Sequence, residues 1–394
     1  MRILICAAEA PVEPLNGFGL QLDRLATGLA RGHEVTVLAL ARRGSTTSSG
    51  PEELIPVPVG PSGPAAELRP AIAATLGRSP RAATRAMPAM MAAVAELLTR
   101  REFDVAQVSG PWLAGLAHTL SPLPSVLSSL DAWHLNLSAE ARLAGPAKRL
   151  AYRWEQRNIR RFIASEFRRH SHVIVVSDAD AAALRQIDSR LRLAVIPNGV
   201  DVEMMKPNPA VGREPGLVVF TGAMHYAPNV EAARFLAIEV LPRLRATNPD
   251  ARLALVGRQP RPEVAELARI ENVEVTGEVP DIRPWLWRAN AYGCGMVSGT
   301  GIKNKLLEAL ACGTPCVATG LSCQGIAVAP GRDLLVEDSA GGFAKALSLV
   351  LGDQKLGDRL GRRGRSAVET SHGWDAVVDA HVRIYERALA ERAT

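Results

Sequence analysis

Short apolar segments alternate with longer amphipathic segments along almost all of the 394 residues. This alternation is typical of parallel β-sheets covered by helices, because each parallel strand needs a crossover to return to the same edge of the sheet. The first series of predicted strands comprises residues 2–6, 35–40, 105–108, 125–128, 173–176 and 193–196. A second series comprises residues 217–220, 253–256, 273–275, 292–297, 315–318 and 333–336. We therefore predict an α/β chain with two doubly wound sheets.

Proline and glycine interrupt the chain between the two series. Residues 197–201 read Pro-Asn-Gly-Val-Asp, and a stretch rich in Pro and Gly follows up to residue 216, which is typical of a linker. We predict an N-terminal domain over residues 1–203, rejoined by a last helix over 374–394, and a C-terminal domain over 204–373. Residues 54–88, rich in Pro, Ala and Gly, are expected to form a mobile excursion near a ligand edge.

Composition excludes several classes of protein. With 47% hydrophobic and 22% charged residues, the chain is neither disordered nor collagen-like nor a coiled coil. No apolar stretch approaches the ~20 residues of a membrane span, and the apolar start is too short for a signal peptide, so we expect a cytoplasmic protein.

The cysteine spacings match no zinc or redox motif, and we expect buried free thiols with neither metal nor cofactor. These cysteines are Cys6, Cys294, Cys312, Cys316 and Cys323.

The net charge of +6 restricts the class of partner. Aromatic residues make up only 4% of the chain, which disfavours stacking on bases, so we expect no nucleic-acid partner. The positive balance favours anionic small molecules or an anionic surface instead.

Two glycines, Gly17 and Gly19, open the first predicted helix. Glycines there let the backbone approach an anion at the positive helix end, although they also occur in plain turns. A dinucleotide fingerprint would need a third glycine where Leu22 stands and an acidic residue after the second strand, where residues 41–43 read Ala-Arg-Arg. A 2′-phosphorylated dinucleotide stays open as an alternative, because an arginine there could bind its phosphate.

The densest signal for a binding site is in residues 298–315, where glycines precede a predicted helix. Lys303 and Lys305 fall at the helix start, where the helix dipole disfavours cations, and a bound polyanion would resolve this conflict. Glu308, further along the helix between apolar neighbours, could accept hydrogen bonds from two ribose hydroxyls. The alternative is that both lysines are solvated and that Glu308 caps a neighbouring amide.

The run 299–319, the linker at 198–201 and the glycine loop before the first helix resemble the GT-B glycosyltransferases of the GT4 type. The similarity is greatest to the branch tied to exopolysaccharide and natural-product sugar transfer, and it extends over nearly the whole chain. The resemblance implies two Rossmann-like doubly wound domains that face each other across a cleft. It also implies a glycosyltransferase of the hexosyltransferase type, with a nucleoside-diphosphate sugar held mainly by the second domain and the acceptor mainly by the first.

The resemblance implies roles for individual residues by position. The residues implied at the donor diphosphate are Gly17, Gly19, Gly222, Lys303, Asn304 and Lys305. Those implied at the base are Gly277, Glu278 and Val279. Glu308 would bind the ribose, and Thr300 with Gly301 would lie at the donor sugar.

The chain departs from the family pattern in two places. Thr300 stands where the family has the first of two paired glutamates, which leaves the donor preference open. Leu130 stands where the family has a histidine, so Asp131 and His134 become candidates for contacting the acceptor hydroxyl, with turn capping as the alternative. Lys303 completes the set of catalytic candidates, since its charge could stabilise the departing diphosphate.

The implied reaction moves a sugar from the nucleotide donor to a hydroxyl of a small molecule, a glycan or a lipid-linked acceptor. The family is retaining, and no metal is needed if the lysines and the helix start neutralise the diphosphate. A GT-B sugar-nucleotide epimerase and a non-catalytic sugar-nucleotide-binding protein stay open as alternatives.

The basic segment 142–169 interleaves Leu150, Trp154 and Ile159 at near-helical spacing. Its charged face is either solvated, with the apolar side in the core, or rests on the inner membrane surface as a peripheral contact that reaches a lipid-linked acceptor.

Overall fold

The computed structural model divides the chain into two compact units. Unit 1 is Met1–Pro197 with Val377–Thr394, and unit 2 is Asn198–Ala376. The predicted boundary after residue 203 thus lies inside unit 2, because Val200 and Met205 pack into its core and Val200 also pairs with Gly373. The structure describes residues 1–11, 17–41, 53–58, 87–130, 134, 146–299 and 301–392.

Within these ranges, unit 1 contains a seven-stranded parallel sheet in the order β3-β2-β1-β4-β5-β6-β7. Both faces of such a sheet are covered, so its central strands are continuous apolar runs. In β1, Ile3 lies opposite Val35 on one side and Val105 on the other, and all six side chains but the first are buried. The strands are β1 Arg2–Ala7, β2 Glu34–Ala41, β3 Glu53–Pro58, β4 Val105–Ser109, β5 Ser125–Leu130, β6 His172–Val175 and β7 Leu193–Val195.

The edge strand β3 corrects the prediction of an excursion that begins at residue 54. Glu53–Pro58 pairs in parallel with β2, so that Leu54 lies opposite Val37. Pro56 and Pro58 mask the strand in the sequence, but an edge strand tolerates proline because one side of its backbone has no ladder partner. Residues 59–86 of the predicted excursion lie outside the described residues.

The helices of unit 1 cover the sheet with apolar faces. Met90, Val94 and Leu97 are the buried residues of α2, at helical spacing. Ser177 caps α5, because its Oγ accepts a hydrogen bond from the Asp180 amide at 3.1 Å. The helices are α1 Gly17–Ala30, α2 Met87–Arg100, α3 Ala117–Leu120, α4 Pro146–Glu166 and α5 Asp178–Arg185, with 3-10 turns at Pro111–Leu116 and Phe167–Arg169.

Unit 2 contains a six-stranded parallel sheet among its described residues, in the order β10-β9-β8-β11-β12-β13. Its strands are β8 Glu214–Thr221, β9 Arg252–Val256, β10 Val273–Gly277, β11 Ala289–Cys294, β12 Cys316–Ala318 and β13 Leu335–Val336. Its helices are α6 Ala227–Arg234, α7 Leu241–Arg245, α8 Pro262–Ala265, α9 Arg283–Arg288, α10 Asn304–Ala311, α11 Ala340–Gly352 and α12 Gln354–His372. A π-helical turn at Phe235–Val240 joins α6 to α7, and a 3-10 turn at Glu266–Arg269 follows α8.

The last helix, α13 Trp374–Arg392, begins in unit 2 and belongs to unit 1 from Val377 onward. It packs closely on α1, because a Cβ added at Gly28 would lie 2.5 Å from Cγ2 of Val378. The buried hydroxyl of Tyr385 donates a hydrogen bond to Oε1 of Gln107 on β4. None of the described helices is both long and apolar enough to cross a membrane.

Both sheets have a topological switch point, where neighbouring strands lead to helices on opposite faces. The switch points lie between β1 and β4 in unit 1 and between β8 and β11 in unit 2. Ligands of doubly wound sheets bind outside the carboxyl ends of the strands at such points.

The prediction of free cysteines is confirmed, since all five are unpaired and only Cys323 is not fully buried.

Two buried histidines of unit 1 make its stability depend on pH. Burial lowers the pKa of His170 and of His381 to about 4. Ser125 Oγ and Ala114 O hold the His170 ring at 2.8 and 2.9 Å, and His381 Nδ1 donates to Val377 O at 2.9 Å. Because the unfolded chain binds these protons near the ordinary value of ~6.5, the free energy of unfolding falls as the pH drops from there toward 4.

We predict that each of these histidines removes about 2 kcal/mol from the free energy of unfolding between pH 7.5 and pH 5. Urea unfolding of wild type and His381→Gln at both pH values measures this, and the variant should lose about 2 kcal/mol less on acidification. His225→Gln, at an exposed position of unit 2, is the matched control. An equal loss in wild type and His381→Gln would contradict the prediction.

Candidate functional site

Three glycines form the floor of a candidate site at the carboxyl edge of the unit 2 sheet. Gly222 follows β8, Gly257 follows β9 and Gly277 ends β10. The amide of Gly222 donates to Val256 O at 2.9 Å, and that of Gly257 to Gly277 O at 3.1 Å. A Cβ at Gly257 would lie 1.7 Å from the carbonyl oxygen of Gly222, so no side chain fits there. The absence of side chains lets these loops pack tightly and leaves backbone at the edge.

The loop after β11 closes around the ammonium group of Lys303. Gly299 and Gly301 have φ values of 101° and 72°, which glycine adopts without strain. Lys303 is buried, and its Nζ donates to the carbonyl oxygens of Gly299 at 3.2 Å and Gly301 at 2.6 Å. In the structure this ammonium group holds the backbone of the loop, and its predicted contact with a diphosphate stays a prediction. Thr300, the predicted donor-sugar residue, lies outside the described residues.

Lys305, in the first turn of α10, extends back to the end of β8. Its Nζ donates a hydrogen bond to Oδ1 of Asn229 and lies 4.8 Å from the ring centroid of Phe220 and 3.8 Å from Sδ of Met296. Phe220 and Met296 are buried, so the ammonium group sits against a largely apolar wall. A cation over an aromatic face is stabilised by the ring quadrupole.

Gly222 and Lys305, both predicted at the donor diphosphate, are neighbours in the structure. A Cβ at Gly222 would lie 2.9 Å from Nζ of Lys305 and 2.8 Å from Nδ2 of Asn229. Nδ2 of Asn229 donates to Ala223 O at 2.9 Å, which turns its Oδ1 toward the ammonium group. Asn229 is thus the side chain that fixes Lys305 at the strand end.

Lys305 and Glu308 lie one turn apart on α10, where side chains share a face. Burial lowers the pKa of Lys305 to about 8, and the charge of Glu308 opposes that shift. Burial likewise raises the pKa of Glu308 to about 7, opposed by the charge of Lys305. An ammonium and a carboxyl group therefore both titrate close to neutral pH at one helix start, which is typical of functional sites.

The remaining unit 2 candidates flank this arrangement. Asn304 begins α10, and its Oδ1 accepts a hydrogen bond from Nδ2 of Asn198 at 3.0 Å. Gly277 has a φ of 69°, Glu278 is exposed and Val279 packs against the core of unit 2. These three residues lie at the end of β10, two strands away from β8.

The described candidates of unit 1 lie at the carboxyl side of its own sheet. Gly17 and Gly19 form the first turn of α1, and Gly19 is buried. His134 is 3% exposed, and burial, reinforced by the charge of Arg160, lowers its pKa to about 4. His134 is therefore uncharged at neutral pH. Asp131 lies outside the described residues.

Three residues of this site were not selected from the sequence. Asn229 follows Pro228 shortly after the first predicted strand of the second series, and this position near a strand end was a usable signal. Phe220 was predicted to lie in a strand and Asn198 in the linker, and neither was assigned a role at the donor. Among the described residues, no three His, Cys, Asp or Glu side chains cluster so that they could hold a metal ion.

Two family models match the chain, one for each half. The model described as Glycosyltransferase Family 4 matches residues 15–204. The model described as Glycosyl transferases group 1 matches residues 215–353, which include the glycine floor, Lys305 and Glu308.

Curated relatives agree with these matches. A phosphatidyl-myo-inositol mannosyltransferase of Mycolicibacterium smegmatis is 34% identical over 202 residues, which cover 48% of this chain and 51% of that protein. The chain thus spans about half the length of the mannosyltransferases it matches. A glycogen synthase of Mycobacterium tuberculosis is 25% identical over 430 aligned residues, covering 98% of this chain and 94% of that protein.

Solved structures show the same fold. Sucrose-phosphate synthase of Thermosynechococcus elongatus has a TM-score of 0.72 at 17% identity and covers 99% of this chain and 100% of that one. Anabaena HepE, solved in complex with UDP, has a TM-score of 0.69 at 14% identity and covers 98% of this chain and 100% of that one. Two parallel, helix-covered sheets with these matches show that the chain belongs to the GT4-type glycosyltransferases and has the GT-B fold.

Proposed function

We propose that this protein transfers a sugar from a nucleoside-diphosphate donor to a hydroxyl acceptor. The observation that carries the proposal is the ammonium group of Lys305, which Asn229 holds against Gly222 one helical turn from Glu308. A half-buried cation beside bare backbone fits a phosphate group, and a half-buried carboxylate fits the two hydroxyls of a ribose. A nucleoside diphosphate carries both kinds of group, a phosphate and a ribose with two hydroxyls.

The negative charge that develops on the leaving diphosphate during transfer explains why a cation such as Lys305 would be needed at this site. The bond between the anomeric carbon and the diphosphate oxygen breaks, and a bond from the acceptor oxygen to that carbon forms. Negative charge then accumulates on the leaving diphosphate, where Lys305 and the amides at the start of α10 stabilise it. Lys303 adds charge to the same loop while it holds the backbone of Gly299 and Gly301 in place.

We propose a metal-independent, retaining reaction. Lys305 supplies the positive charge that a divalent cation would otherwise supply at the phosphates. In a front-face attack, the leaving phosphate oxygen takes the proton of the acceptor hydroxyl, so the reaction needs no nucleophilic carboxylate. This fits a chain in which Thr300 replaces the family glutamate. NMR gives the anomeric configuration of the transferred sugar in the product. Comparing it with the configuration in the donor tests whether the reaction is retaining.

The similar proteins support a nucleotide-sugar donor. Anabaena HepE was solved in complex with UDP and with UDP-glucose, and the curated relatives are named as a mannosyltransferase and a glycogen synthase. We propose that unit 2 binds the donor, with Gly277, Glu278 and Val279 at the base. For unit 1 we propose acceptor binding, with Asp131 and His134 as candidates for the acceptor hydroxyl, and we retain Gly17 and Gly19 as candidates for binding the diphosphate.

Incubation with UDP-glucose, GDP-mannose, ADP-glucose and dTDP-glucose, each with and without candidate acceptors, tests the proposed function. We expect one donor to release its nucleoside diphosphate, slowly with water and faster with the right acceptor. An epimerised donor sugar would indicate the epimerase instead. Binding of a donor without turnover by any acceptor would indicate a binding protein, and failure to bind any of the four would contradict the proposal.

We predict that Lys305→Met weakens binding of the nucleoside diphosphate far more than binding of its nucleoside, whereas Glu308→Gln weakens both by about 1–3 kcal/mol. Affinity of the wild type should fall below pH about 7, where Glu308 is protonated, and above pH about 8, where Lys305 loses its proton. Calorimetric titration at several pH values measures these effects.

Two matched variants control this experiment. Lys355→Met and Glu239→Gln make the same substitutions at exposed positions of unit 2 and should leave affinity unchanged. The affinity of Glu308→Gln for the nucleoside should no longer fall at acidic pH. The variant lacks the carboxyl group that is protonated there, and the nucleoside carries no phosphate that titrates in this range. Equal effects of Lys305→Met on both ligands would remove this lysine from the diphosphate site.

We also propose that α4 brings unit 1 to an anionic membrane surface. Ile159 and Ile163 are buried in the core, whereas Leu150 and Trp154 are 71% and 38% exposed on the first half of the helix. The exposed arginines around them are Arg153, Arg157, Arg160 and Arg161. Exposed apolar side chains among arginines are typical of a helix that lies on a membrane interface. Such a contact would suit a lipid-linked acceptor.

We predict that the protein sediments with vesicles that contain phosphatidylglycerol and not with pure phosphatidylcholine vesicles, and that high salt weakens this binding. Leu150→Ser with Trp154→Ser should reduce the bound fraction. Leu349→Ser, which changes a 52% exposed leucine of α11, is the matched control. Equal sedimentation of the double variant and wild type would contradict a role for α4.

A further inference from the structure

Residues 372–374 hold the linker segment 198–200 through its backbone, entirely within unit 2. Nδ1 of the buried His372 donates to Asn198 O at 3.0 Å, and its Nε2 accepts from the Ala327 amide at 3.0 Å. The amide of Val200 donates to His372 O at 2.8 Å, and Val200 pairs with Gly373 as an isolated bridge. These contacts fix the backbone on both sides of Gly199.

Gly199 itself is held by close packing. A Cβ at this position would lie 2.6 to 2.8 Å from atoms of the Trp374 indole, so only glycine leaves room for the ring. The linker backbone is therefore fixed at three successive residues, and the direction in which the Asn198 side chain leaves the backbone is fixed with it.

The Asn198 side chain contacts the start of α10. Its Nδ2 donates to Oδ1 of Asn304 at 3.0 Å, across 106 positions of sequence. Asn304 stands between Lys303 and Lys305 and is the first residue of α10, at the helix start proposed above for the diphosphate. Because Oδ1 of Asn304 accepts from Asn198, the other group that its amide presents is Nδ2, a donor. A donor is the group that a phosphate oxygen requires.

We propose that Asn198 is a positioning residue for the donor diphosphate, which acts by orienting the Asn304 amide so that Nδ2 is presented to a phosphate oxygen. This inference rests on the proposed function, and it assigns to the linker a part in donor recognition. The contacts that hold the linker use backbone atoms of Asn198, so Asn198→Ala keeps them and removes only the side-chain bond to Asn304.

A double-mutant cycle tests this proposal. Asn198→Ala, Asn304→Ala and the double variant are titrated with UDP, GDP, ADP and dTDP and with the corresponding nucleosides. We expect Asn198→Ala to weaken binding of the preferred diphosphate about fivefold, the effect of one hydrogen bond, and to leave nucleoside binding unchanged. In the Asn304→Ala background the same substitution should have no further effect, because Asn198 acts through Asn304.

Asn208→Ala is the matched control, since it removes an asparagine of the same linker whose Oδ1 accepts from the Ala210 amide at 3.1 Å. It should leave both affinities unchanged. Asn198→Asp provides a second variant of native size, in case the alanine variant does not fold. Its carboxylate can only accept, so it turns Nδ2 of Asn304 away from the phosphate, and its loss of diphosphate affinity should shrink in the Asn304→Ala background.

The outcomes separate this inference from the proposed function. Wild-type protein that binds none of the four diphosphates overturns both. Wild-type binding with an unchanged Asn198→Ala variant, with equal losses for diphosphate and nucleoside, or with independent effects in the cycle overturns only the role of Asn198. A selective diphosphate loss that vanishes in the Asn304→Ala background supports it.

Discussion

The ammonium group of Lys305 is the interaction on which the unit 2 site depends. A cation taken out of water loses hydration, which is why burial lowers its pKa to about 8. The Asn229 carbonyl and the Phe220 ring compensate part of that loss. A bound anion would compensate the rest and favour the charged form. The site is therefore a poorly solvated cation, and this property is the basis for the diphosphate ligand proposed above.

Lys305 can occupy this position only because the neighbouring backbone carries no side chains. A Cβ at Gly222 would meet both Lys305 Nζ and Asn229 Nδ2 below 3.0 Å, and one at Gly257 would overlap the Gly222 carbonyl. The carboxyl ends of β8 and β9 can approach each other only because both positions are glycine. Gly222 and Gly257 thus provide space at the ends of β8 and β9, and the ammonium group of Lys305 from α10 lies beside Gly222.

The sequence predicted the fold because hydrophobic burial is a local, periodic property. All twelve strands that the two apolar series predict begin within three residues of the observed ones, and α13 begins at Trp374 as predicted. The edge strand Glu53–Pro58 was missed because its prolines contradict the strand pattern, and only the open side of an edge tolerates them. Lys305 was selected as a candidate because cations at a helix start conflict with ordinary helix energetics, whereas Gly222 was selected only through the family resemblance.

What the sequence could not supply was the set of pairwise contacts. Lys303 and Lys305 read as equivalent cations, yet one binds the carbonyls of its own loop and the other reaches β8. Asn229 and Asn198 contact residues 76 and 106 positions away, and no local pattern encodes such distances. The same limit applies to the linker: proline and glycine mark it as a connection, but its hydrogen bond to Asn304 makes it part of the site. The start of α10 therefore receives a hydrogen bond from a segment that the pattern of proline and glycine marks only as a linker.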